Sequence, residues 1–167
     1  NAAQTITLGS LADAAGVSTI TGNGSGVETV TVGAGFDNAL SISLGSGAAH
    51  SDDIDASASA AAITVTSTAS AITTADTIKG GTGSTDAINI TADSNATGAA
   101  FGAAVTGVET VTLVASTTNT VKLTTNDANA ADTSTNFTVN AAGLTSTAAT
   151  FTFISNEDST ATINVTG

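Results

Sequence analysis

The chain has 167 residues, of which 14 are acidic and 2 are lysine, for a formal net charge of −12. It contains no Pro, Cys, Met, Trp or Tyr, and only 10% of its residues are charged, against roughly a quarter in ordinary soluble domains. So acidic a chain cannot neutralise a nucleic-acid backbone or an anionic membrane surface, which excludes both partners, and without cysteine it has neither a disulfide framework nor thiol chemistry.

Hydrophobic residues make up 41% of the chain, mostly Ala, Val and Ile. Such a set fills a thin core, in which each short strand contributes one or two β-branched side chains, better than a wide globular one. Taken in order, strand signals of period two begin at Ile6 and Leu8 and continue at Val30 and Val32, then at Leu40, Ile42 and Leu44. Ile63 and Val65 come next, then Ile78, then Ile88 and Ile90. The second half adds Val111 with Leu113, Val121 with Leu123, Phe137 with Val139, Phe151 with Phe153, and Ile163 with Val165. Thr, Ser and Asn alternate with these aliphatics, and only the Ala-rich 11–15 stretch has any helical spacing. Thr and Val weigh against helix, so the fold class is all-β.

Strands this regular, joined by small residues, suit a parallel β-solenoid, a β-roll-like section in which each coil stacks on the last. The alternative is an antiparallel β-sandwich. Tight hairpins favour Asn-Gly or Asp-Gly turns, and Asn23-Gly24 is the one such dipeptide here, which favours the solenoid. Two near-identical heptapeptides, GVETVTV at 26–32 and GVETVTL at 107–113, suggest two related modules, residues 1–80 and 81–167. The chain starts and stops between strands and reads as a section of a longer polypeptide.

The segment from Asp76 to Ile90, DTIKGGTGSTDAINI, joins two strand signals through Gly80, Gly81 and Gly83, with Asp76 before the turn and Asp86 after it. Glycines can expose backbone carbonyls and aspartates supply hard anionic oxygens, the ligand types that Ca²⁺ takes. A second turn of this kind holds Gly33, Gly35 and Asp37. Asp53 and Asp55, in SDDIDAS, would share one face of a strand, which needs either a cation between them or water around them, and the run reads as a solvated turn. Asn126, Asp127, Asn129 and Asp132 read as a polar loop. Glu28 and Glu109 open the two heptapeptides in phase with the inward valines, where they could cap the coil edge or hold a cation between modules but are expected in water at the strand mouth.

The D-x-I-x-G-G-x-G run across Asp76, Ile78, Gly80, Gly81 and Gly83 resembles the GGxGxDxUx nonapeptide of the RTX family, with Asp86 one residue later than the repeat requires. Together with the Thr/Ala/Ser/Gly-rich composition and the two heptapeptides, it looks like bacterial surface-layer proteins and the type I-secreted adhesins related to them. The resemblance implies an extracellular or cell-surface location and Ca²⁺ bound between coils, with Asp76, Asp86 and the Gly80–Gly83 carbonyls as ligands and Asp37, Asp53 and Asp55 as further candidates.

Chemistry is not expected. His50-Ser51-Asp52 holds the residue types of a nucleophilic triad, but adjacent residues cannot converge as a triad does. No phosphate-binding loop is present. Sequons such as Asn95-Ala96-Thr97 and Asn136-Phe137-Thr138 arise readily in a Thr-rich chain. The functional expectation is a structural surface protein that associates with copies of itself or of its parent. An adhesive module for a glycan or host surface is the alternative, disfavoured because no Trp or Tyr is available to stack on sugars.

Overall fold

The computed structural model describes residues 2–22, 26–44, 50–83, 85–93, 98–114, 120–130, 137–144, 150–155 and 163–166. Asn23-Gly24, Asp132, Asn136 and the sequon at Asn95 lie outside these residues. In chain order the first strands are β1 (Gln4–Leu8), β2 (Thr19–Thr21), β3 (Glu28–Val32), β4 (Leu40–Ser43) and β5 (Asp53–Asp55). They are followed by β6 (Ile63–Thr68), β7 (Thr77–Lys79), β8 (Ala87–Thr91), β9 (Ala99–Ala100) and β10 (Val105–Thr106). The last are β11 (Thr110–Val114), β12 (Thr120–Thr124), β13 (Phe137–Gly143), β14 (Thr150–Ile154) and β15 (Ile163–Thr166). A single turn of helix, α1 (Ser10–Ala14), and a 3-10 helix (Asp127–Ala130) complete the regular structure.

Every strand pairing among the described residues is parallel. Three sheets result: sheet A in the order β1-β3-β5-β7-β10, sheet B in the order β15-β13-β11-β8-β6-β4-β2, and sheet C in the order β14-β12-β9. The chain visits the sheets in turn and returns one coil further along, so the fold is a parallel β-solenoid of about five turns. Parallel neighbours cannot be joined by two-residue hairpins, and the sandwich alternative falls away. In sheet A, Thr29 pairs with Asp53 and Asp53 with Thr77, which sets the coil at 24 residues.

The inner rows follow the alternation read from the sequence. Val30, Ile42, Val65, Ile88, Val111 and Leu123 are each 1% exposed or less, while the Thr and Ser between them face outward. At the last coil the rows thin out: Phe151, Phe153 and Ile163 are half-buried and Val165 is 50% exposed. The core also holds apolar residues outside the alternating series. Phe36 and Phe101 come from turns, and Ile54 lies between two aspartates, so DID is a strand of sheet A and not a solvated turn.

The two heptapeptides lie in different sheets, β3 in A and β11 in B. Their spacing is thus not a whole number of coils. Nor do the sheets break near residue 80, where β6 and β8 pair directly across it.

Because the inner face is dry and the outer face wet, adjacent residues of one strand should respond oppositely to charge. Val111→Asp buries an unpaired carboxylate and should cost more than about 4 kcal/mol, whereas Thr112→Asp should cost less than about 1 kcal/mol. Urea denaturation of the two variants measures the difference, and equal losses would refute the strand phase.

Candidate functional site

The first residue of a strand in a solenoid has a buried N–H at the point where the chain turns in from a loop, before the ladder can supply an acceptor. An unpaired buried N–H is costly. This chain meets the need with carboxylates sent from the neighbouring coil. The Asp52 carboxylate accepts the Glu28 N–H at 2.9 Å, and one coil on, the Asp76 carboxylate accepts the Asp52 N–H at 2.9 Å. Both links span 24 residues. A second series stands at the mouths of the sheet B strands. There Asp86 accepts the Ile63 N–H at 2.7 Å, and Glu109 accepts the Asp86 N–H at 2.7 Å. Glu28, Asp52, Asp76, Asp86 and Glu109 are all buried.

The second oxygens are also occupied. Asp76 Oδ2 accepts the Thr73 N–H at 2.7 Å, and Asp86 Oδ2 accepts the Gly81 N–H at 2.6 Å. Each of these two aspartates therefore ties its own turn to the coil before it. Burial pushes the Asp76 carboxyl up from the ordinary 3.8, helped by the charge of Asp52, and outweighs the hydrogen bonds from Thr73 and Asp52 that favour the anion. Burial likewise raises Asp86 against the bonds from Ile63 and Gly81.

The glycines nominated as carbonyl ligands serve close backbone packing. A Cβ on Gly80 would fall on the carbonyl oxygen of Gly107 in the next coil, and Gly107 itself has φ +63°. A Cβ on Gly81 would lie 2.5 Å from the Ser59 carbonyl oxygen of the previous coil, and one on Gly83 would lie 3.3 Å from that of Ala60. Only glycine lets the coils approach this closely.

The remaining candidates are scattered. Asp37 is exposed; its N–H and that of Asn38 donate to the Asp13 carboxylate at 2.8 and 2.7 Å, which fixes the Gly33–Asn38 turn against α1. Asp53 and Asp55 are on the outer face of β5, where Lys79 of β7 pairs with Asp55 at 2.9 Å. Hydrogen bonds from Ser57 and Lys79 hold Asp55 below the usual carboxylate range. Among the described residues no three His, Cys, Asp or Glu side chains stand together as a metal would require. Each carboxylate oxygen of Asp76 and Asp86, the aspartates nominated as Ca²⁺ ligands, accepts a main-chain N–H. Asp52, the acid of the His50-Ser51-Asp52 run, is spent on the Glu28 N–H.

Glu28 and Glu109, expected in water at their strand mouths, are buried instead, and sequence reasoning missed the capping role of Asp52, Asp76 and Asp86. Its signal was present in the 24-residue spacing of Glu28, Asp52 and Asp76, each immediately before or at the start of a strand. Asn129 was also missed as a cap: its side-chain amide donates to the Gly102 and Val105 carbonyls at 2.9 and 2.8 Å, closing the end of sheet A beyond β10. Comparison with models of protein families, with curated proteins and with solved structures gives no match.

Asp86→Ala would leave the N–H groups of Ile63 and Gly81 without acceptors and should cost roughly 2–5 kcal/mol. Asp37→Ala, at an exposed side chain, should cost under about 0.5 kcal/mol. Chemical denaturation of both variants tests the ladder, and equal stabilities would sink it.

The raised carboxyls also set a pH dependence. A group whose folded pKa exceeds its unfolded value takes up a proton on folding, so its stabilisation is full below about 3.8 and is lost as pH climbs through the folded value. The melting temperature should rise as pH falls from neutrality toward 4, with a flatter profile in an Asp76→Asn/Asp86→Asn double variant. A wild-type profile that falls with acid would mean that the hydrogen bonds outweigh burial.

Proposed function

We propose that this chain is a structural section of an extracellular surface assembly, which works by joining copies of itself or of its parent polypeptide and performs no chemistry. The observation that carries this reading is the state of the two ends of the stack. Among the described residues, strands β1 and β2 at one end and β14 and β15 at the other each pair on one side only. The inner-row residues there, Ile6 and Ile20 at one end and Phe151 and Phe153 at the other, are half-buried, whereas their counterparts in the middle coils are covered. Unpaired parallel edges backed by apolar rows suit strand addition. No proline stands in the chain to blunt them, and neither lysine lies in an end strand. The next subunit would complete the coils.

The buried acids support the same reading. Both oxygens of Asp76 and of Asp86 accept main-chain donors, and a catalytic site needs titratable groups free to meet a substrate. Calcium enters as a bridge between acidic copies, through exposed carboxylates such as Asp37 and Asp53, and not as a ligand inside the coils. A surface-layer or filament role on a bacterial cell fits these properties. The adhesive alternative keeps no specific observation in its favour.

Millimolar Ca²⁺ should drive the parent protein into regular sheets or fibres visible by electron microscopy. Chelator should disperse them without lowering the melting temperature of the single chain. A parent that stays monomeric in Ca²⁺ and binds a defined glycan tightly would replace this reading with the adhesive one.

A further inference from the structure

Sheet B is the longest sheet, and its outer face is unlike the rest of the surface. Two rows of side chains cross all seven strands. One passes from Thr19 through Ser41, Thr64 and Thr110 to Asn164. The other passes from Thr21 through Thr66, Asn89 and Thr112 to Thr166. Every position in both rows carries a hydroxyl or a carboxamide except Ala87, and none carries a charge. All are half-exposed or exposed. The one irregularity of register, between β11 and β13, falls beyond Thr112 and leaves both rows in step.

A charge-free face of this length is notable in a chain of net charge −12. The outer face of sheet A, by contrast, carries Asp53, Asp55 and Lys79. Two acidic bodies repel wherever carboxylates meet, so an uncharged face is where copies of one chain can approach. The rows repeat at about 4.8 Å along the axis and about 7 Å along each strand, and β-branched threonine on a pleated sheet interlocks with its like when two such faces meet about 10 Å apart. A face about 30 Å long and two rows wide is smaller than the roughly 800 Å² per partner of a stable dimer, so one contact is weak and many in an array are strong.

We propose that the outer face of sheet B is a lateral contact surface for a second copy of this chain, packed sheet to sheet. This rests on the self-assembly reading above and names a face for it that is separate from the strand edges at the ends of the stack.

The test is sedimentation velocity of the full chain over a range of concentration and salt. Its variants are Thr66→Glu/Thr112→Glu, at the centre of the face, and Thr31→Glu, exposed on the outer side of β3 in sheet A. Circular dichroism and melting temperature check that both variants keep the fold. Wild type should self-associate, more strongly as salt screens the remaining acids. The double variant should weaken this by roughly tenfold or more, while Thr31→Glu changes it little. A Thr66→Lys/Thr112→Lys chain mixed with the Glu double variant should restore association. If wild type associates and the Glu double variant associates as tightly, sheet B is not the contact and the proposal fails, while end-to-end assembly stands. If wild type is monomeric at every concentration and salt, in Ca²⁺ as well as in chelator, this proposal and self-assembly both fail. Retention on an insoluble neutral polysaccharide, lost in the Glu double variant of an otherwise monomeric chain, would assign the face to a glycan and overturn the proposal.

Discussion

The buried main-chain N–H at the mouth of each strand is the constraint on which the other features depend. A parallel solenoid places such a donor at the same point of every coil, where loop becomes ladder and water is absent. Here it is met by a carboxylate from the adjacent coil, as with Asp76 for Asp52 and Glu109 for Asp86. This fixes coil length, because a side chain can reach only its neighbour's turn. It also demands close turns, which explains why Gly80 faces Gly107 with no room for a side chain between them. And it buries these acids, so burial first, and the like charge of Asp52 after it, leave Asp76 more readily protonated than an exposed aspartate.

Much of the architecture was legible because alternation is a direct imprint of a two-faced strand. Val30, Ile42, Val65 and Val111 point inward as their period requires. The parallel arrangement followed from what was missing, namely hairpin turn residues between the strands. Less legible was anything that depends on which coil lies next to which. Ile54 between two aspartates reads locally as a polar turn, and only the neighbouring strands β3 and β7 make it core. The heptapeptides sit in different sheets for the same reason: similar local chemistry, a glutamate at a strand mouth followed by alternating aliphatics, is serviceable in either.

The candidate site shows the same limit more sharply. Aspartates beside glycines are the residue types of a calcium turn, and they are equally the residue types of a turn that caps a neighbour's backbone. Which main-chain N–H groups those carboxylate oxygens meet is decided by residues 23 or 24 positions away. Asp76 and Asp86 meet N–H groups on both oxygens.

The handover between sheets has a mechanical consequence. Among the described residues sheet A stops at β10, where Asn129 closes it, and sheet C begins at β9, so of the three sheets only B runs the length of the described stack. A load that pulls the ends apart along the axis acts across the strands and opens ladder bonds one strand pair at a time, as a zipper opens, since each coil is held only by its neighbours. In the middle coils two sheets share that load. At the junction sheet B bears it with only the short ladder of β9 and the Asn129 amide beside it. Tension should therefore divide the chain there first, into two blocks that each keep their coils, and the rod has a built-in breaking point near its middle.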